Sequence, residues 1–116
     1  MKKYLLISLF FLSSNIFLGQ SQIGSDINGG FTPGPPITVG DAFGWVVSMP
    51  ADGSTIAVTS MINHGGDGYV KVYHYANGTY SQLGNTIFGS LGTSNFGKNI
   101  SLSGDGTILA IGNSSY

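Results

Sequence analysis

The chain has 116 residues, of which 8% are charged, with 19 glycines, a formal net charge of −1 and no Cys, Arg or Glu. Four basic residues cannot neutralise a run of phosphates, which excludes a nucleic-acid binder. The lack of cysteine excludes a disulfide scaffold and any thiolate-ligated metal or iron–sulfur centre. With 41% apolar residues the composition is that of a packed chain rather than a disordered one, and the glycines lack the every-third-residue period of collagen.

Residues 1–21 read as a signal peptide. Lys2 and Lys3 form a positive start, and an apolar run from Tyr4 to Leu18 follows, interrupted by Ser13, Ser14 and Asn15. The run is short for a stable membrane span, which needs about 20 apolar residues. Small residues at 19 and 21 suit cleavage after Ser21. Cleavage after Gly19 is the alternative, and an uncleaved anchor the rival reading. No Cys follows, which excludes a bacterial lipoprotein. The expected mature chain starts at Gln22 and is secreted or held at the cell surface. It carries two lysines against five aspartates, a net charge of −3. With no disulfide, its stability must come from packing, its own or a partner's.

Residues 22–42 read as the end strand of a preceding unit and a loop marked by Pro33, Pro35 and Pro36. From residue 43 the chain repeats itself, a pattern to seek before any other. Phe43-Gly44-Trp45-Val46-Val47-Ser48-Met49-Pro50-Ala51-Asp52-Gly53-Ser54-Thr55-Ile56-Ala57-Val58 returns 53 residues on. The copy is Phe96-Gly97-Lys98-Asn99-Ile100-Ser101-Leu102-Ser103-Gly104-Asp105-Gly106-Thr107-Ile108-Leu109-Ala110-Ile111. A second echo, Gln22-Ile23-Gly24-Ser25-Asp26-Ile27-Asn28-Gly29 against Gln82-Leu83-Gly84-Asn85-Thr86-Ile87-Phe88-Gly89, has an offset of 60. The difference is a seven-residue insertion within the proline-rich loop.

Within the complete unit, residues 43–92, alternation predicts a strand over 44–49, with Phe43, Trp45, Val47 and Met49 on one face. Pro50-Ala51-Asp52-Gly53 is turn chemistry, suited to a type I turn closed by a left-handed glycine. A return strand covers 55–60, and residues 61–67 make a looser connection. Residues 68–75 are β-rich. Asn77-Gly78 predicts a two-residue type I′ turn, which pairs Tyr75 with Tyr80 and Val72 with Leu83. One face then holds Val70, Val72, His74, Ser81 and Leu83. The other holds Lys71, Tyr73, Tyr75, Tyr80 and Gln82. The return strand covers 79–83, with Phe88 as its far limit. Residues 93–116 begin the next unit, and no helical period occurs outside the signal segment.

Four short antiparallel strands every 50 or so residues describe a propeller blade. The expected fold is therefore all-β, with antiparallel four-stranded propeller-blade repeats. Such a sheet is half apolar on both faces and needs neighbours stacked on it. The chain holds one full blade and parts of two others, too few to close a ring of 4–8 blades. It therefore reads as a fragment or remnant of a longer protein, whose further blades would be its partners. The rival fold is a stand-alone β-sandwich or meander.

Phe43-Gly44 … Asp52-Gly53 … Ile56-Ala57-Val58 and Phe96-Gly97 … Asp105-Gly106 … Leu109-Ala110-Ile111-Gly112 resemble FG-GAP repeats. These are the blades of the integrin α-chain propeller and of many bacterial surface proteins. Val70-Lys71-Val72-Tyr73 and Asn77-Gly78-Thr79-Tyr80-Ser81-Gln82-Leu83-Gly84 are similar to tandem repeats of exported bacterial proteins. Thr59-Ser60-Met61 and Gly112-Asn113-Ser114 stand in the places of the "GAP" triplet. The resemblance implies a non-catalytic exported module for adhesion or recognition of protein or glycan. The alternative is an accessory propeller segment of a secreted enzyme whose catalytic part lies elsewhere.

Little in the chain suggests chemistry. Ca²⁺ takes six to eight oxygens, but the turns that match integrin calcium loops carry one Asp each, Asp52 with Ser54 and Asp105 with Thr107. Asn63-His64-Gly65-Gly66-Asp67-Gly68 has one more. His64 and His74 lack partners at metal spacing, so His74 reads as a strand residue facing a neighbour. No catalytic, cofactor-binding or metal residue is assigned, and no cofactor is expected. Phe43, Trp45 and Phe96 read as blade packing, with carbohydrate stacking as the alternative for Trp45. Asn77-Gly78-Thr79, Asn99-Ile100-Ser101 and Asn113-Ser114-Ser115 match the glycosylation triplet.

Overall fold

The computed structural model describes residues 19–30, 40–61, 67–90 and 95–113. The signal segment up to residue 18, the proline-rich loop, His64 and the glycines beside it lie outside the described residues. The described residues are all-β, with no helix. None of their segments is a helix long and apolar enough to cross a membrane.

One sheet contains β1 (Val47–Ser48), β2 (Thr55–Ser60), β3 (Tyr69–Ala76) and β4 (Thr79–Gln82) in spatial order, with β5 (Ile87–Phe88) beyond β4 beside β3. A second sheet pairs β6 (Asn99–Leu102) with β7 (Leu109–Gly112). Every pairing is antiparallel.

The turns form where their residues dictate. Gly53 N–H donates to the Pro50 carbonyl at 3.0 Å and Gly53 takes φ +68°, a left-handed value that costs glycine little. Asn77 and Gly78 both take positive φ, at +52° and +83°, as a type I′ turn demands. The hairpin register follows, with Tyr75 opposite Tyr80 and Leu83 N–H donating to the Val72 carbonyl at 2.7 Å.

Three elements are shorter than the alternation predicts. β1 covers only two residues because Gly44, at φ +92°, turns its own N–H and that of Trp45 onto the Thr59 carbonyl. The outer strand breaks after Gln82 and resumes as β5. Between Leu83 opposite Val72 and Ile87 opposite Val70 it holds two more residues than its partner, a bulge around Gly84. An insertion of two leaves Leu83 and Ile87 on the same face. Residues 22–30 are not a strand, yet they repeat the bulge. Gln22 Nε2 donates to the Gly24 carbonyl and Gln82 Nε2 to the Gly84 carbonyl, both at 3.1 Å. Gly24 and Gly84 take φ of +75° and +72°.

Cross-strand partners share a face. Ser48, Thr55, Ala57, Thr59, Val70, Val72 and His74 make one face of the first sheet, here called the front. Val47, Ile56, Val58, Tyr69, Lys71 and Tyr73 make the back. The core lies in β2 and β3, where Ala57, Thr59, Ser60 and Val70 have no exposed surface. The second sheet lies against the front. A Cβ placed on Gly97 would come 3.3 Å from Val70 Cγ2, and one on Gly106 would come 2.9 Å from Thr55 Oγ1. Leu102 N–H donates to Ser48 Oγ at 3.0 Å. Ile100, Leu102, Leu109 and Ile111 are half-buried, while Asn99, Ser101, Ala110 and Gly112 between them are exposed.

Candidate functional site

Each of three aspartates holds backbone. Asp52 Oδ1 accepts the Ser54 N–H at 2.9 Å, and Asp105 Oδ1 accepts the Thr107 N–H at 3.1 Å and its hydroxyl at 2.9 Å. These bonds favour the ionised carboxylate. The Ser103 hydroxyl, then Thr107, lowers the Asp105 pKa to about 2, and Ser54 lowers that of Asp52. Asp41 Oδ1 accepts the Phe43 N–H at 3.1 Å, fixing entry to the Phe-Gly turn. The paired residues Asp52/Ser54 and Asp105/Thr107 are therefore turn locks. Among the described residues no three His, Asp or Glu side chains gather into a metal-sized group.

The turn geometry recurs 53 residues on. The Gly106 N–H to Ser103 carbonyl bond, 2.9 Å, repeats that of Gly53 to Pro50. The Gly97 N–H to Gly112 carbonyl bond, 3.1 Å, repeats that of Gly44 to Thr59, 2.9 Å. Each Phe also sits on the glycine that closes the preceding bulged segment. A Cβ on Gly29 would lie 2.5 Å from Phe43 Cβ, and one on Gly89 would lie 2.7 Å from Phe96 Cβ.

A polar cluster that sequence reasoning missed sits on the back of the sheet. The Tyr69 hydroxyl donates to Asp41 Oδ2 and accepts the Gly30 N–H at 2.9 Å. The Ser60 hydroxyl donates to the Asp41 carbonyl. Phe43 stacks on Tyr69 with ring centroids 6.0 Å apart and 23° between planes, and Phe88 tilts against the other part of the ring at 6.0 Å. Lys71 Nζ lies 5.5 Å from the Phe43 centroid and 5.4 Å from that of Tyr69. Burial, followed by the bond to Asp41, raises the Tyr69 pKa above its ordinary value of 10.0. The phenol therefore stays protonated and links three chain segments. The only hint in the sequence was Asp41 two residues before Phe43, where the second copy carries Ser94.

Trp45 differs from the packing role expected of it. It is 60% exposed, and Val47 and Met49 are 56% and 55% exposed. Phe43 and Phe96 are half-buried. His74 is an exposed β3 residue opposite Thr55 and Ser81. Asn77 is in the hairpin turn and Asn99 opens β6.

Comparison with protein-family models, with curated proteins and with solved structures finds no match to this chain.

Proposed function

We propose that this chain is a blade-type repeat module of an exported protein, an FG-GAP-like propeller that recognises protein or glycan and carries out no chemistry of its own. The observation that carries this reading is the return of the same turn bonds and the same stacked Phe-Gly segment 53 residues on. A repeated rigid sheet displays loops at fixed spacing, which is what a recognition surface needs. The use of Asp41, Asp52 and Asp105 as backbone locks favours a structural over an acid–base role for them. Further blades of a longer chain would be its natural neighbours.

Trp45 is the leading candidate for ligand contact. Its ring is exposed, and its counterpart Lys98 is exposed even though its own sheet is stacked on a neighbour. A flat aromatic face in that position suits the apolar side of a sugar ring.

The test is expression of the full chain with a C-terminal tag in a bacterial host, followed by fractionation, amino-terminal sequencing and probing of glycan and extracellular-protein arrays. Release with Gln22 as first residue and saturable binding that Trp45→Ala weakens are expected. Retention in the cytoplasm with residues 1–21 attached, or no binding to either array, contradicts the proposal.

A further inference from the structure

The first and second sheets share one design, but their faces are not equally covered. Ile100 and Leu102 rest half-buried against the first sheet, whereas their counterparts Val47 and Met49 are more than half exposed. Gly97 touches Val70 and Thr59, whereas the same position around Gly44 is open. The back of the first sheet thus carries the receiving half of an interface whose giving half is known. That giving half is the front, with Ser48 bonded to Leu102 N–H and Ala57 beside it. The second sheet repeats it on its exposed side as Ser101 and Ala110.

A second mismatch lies at the outer edge. The described part of the second sheet has two strands, and Leu83 and Ile87 on the front of the first sheet remain 55% and 40% exposed. On the back, residues 22–30 lie along the outer edge. A Cβ on Gly24 would lie 3.0 Å from Thr79 Oγ1, and Gly30 is bonded to Tyr69. This segment has the bulge of an outer strand and lies one layer behind the strand it copies. The layer behind the first sheet therefore has an outer segment and lacks inner strands, and the layer in front has inner strands and lacks an outer segment.

We infer that two copies of this chain associate head to tail, the β6–β7 sheet of one docking on the Val47–Met49 face of the next and sharing a layer with its residues 22–30. One contact then covers Val47 and Met49 of one copy and Leu83 and Ile87 of the other. The Ser101 hydroxyl takes the Met49 N–H as Ser48 takes that of Leu102. Trp45, like Lys98, stays at the rim. The two surfaces differ, so the contact is heterologous and propagates to a ring or a filament rather than stopping at a symmetric pair. This inference rests on the repeat geometry and is independent of the ligand proposed above.

The chain has no native cysteine, so engineered cysteines report contacts cleanly. Ser101→Cys and Met49→Cys are made separately in the full chain, mixed and oxidised. A disulfide between the two variants, with little product from either alone, is expected. Sedimentation of the unmodified chain is expected to show association that rises with concentration. Val47→Asp places a charge in the contact and is expected to weaken association by roughly tenfold or more, while the monomer's circular dichroism is unchanged. A monomer at every concentration that yields no mixed disulfide overturns the inference. A dominant Met49→Cys homodimer, which would mean a symmetric contact, also overturns it. Trp45→Ala, which tests ligand binding, is expected to leave association intact, so failure of one proposal is distinguishable from failure of the other.

Discussion

Tyr69 ties residue 30, residue 41 and the Phe-Gly turn to β3 through one hydroxyl. Tyr69→Phe keeps the ring stack but leaves the Gly30 N–H and the Asp41 carboxylate without that partner. A loss of about 1–2 kcal/mol in urea unfolding is expected. Asp105 makes a separate prediction. Its folded pKa is about 2 against an ordinary 3.8, so its contribution is fully present above the ordinary value and disappears as pH falls through about 2. Carbon-13 titration of its carboxyl is expected to give a midpoint near the lower figure; a midpoint at the ordinary value means that the turn lock is absent. The Asp-Gly turns were legible from sequence because their chemistry is local. The Tyr69 cluster was not, because it joins residues 39 positions apart. Neither was the exposure of Trp45, which depends on which neighbour lies over it.

Pairing in the β3–β4 hairpin was readable because Asn77-Gly78 fixes the turn type and hence the register. The shortness of β1 was not, since alternation alone cannot show that the N–H groups of Gly44 and Trp45 turn away to Thr59. The bulge at Gly84 was equally hidden, because inserting two residues preserves the apolar pattern. Two glycines separate backbone strain from stacking. Gly44→Ala and Gly97→Ala both force alanine into left-handed backbone, costing about 1–2 kcal/mol each. Only Gly97→Ala also presses a methyl group against Val70 and Thr59. In chemical denaturation Gly97→Ala is expected to cost more than Gly44→Ala. Equal costs would mean that the second sheet does not rest on the first.

At the scale of the whole molecule, stability comes from the face between two sheets. The buried set of Ala57, Thr59 and Val70 on the front is small, and β6–β7 is a two-stranded piece that would be marginal by itself. Val70→Ala, at the centre of that face, is expected to lower stability by roughly 2 kcal/mol and to loosen β6–β7 as well as β3. The 53-residue repeat made stacking foreseeable, since two sheets of one design bury like against like. It did not show that residues 22–30 would lie on the back as a bulged outer segment without being a strand. The most direct test of sheet-on-sheet stacking is a nuclear Overhauser spectrum of the exported chain. Contacts from the Gly97 α-protons to the Val70 and Thr59 methyl groups, with a slowly exchanging Leu102 amide, are expected. Random-coil shifts across residues 95–113, with no contact to β2 or β3, would contradict it.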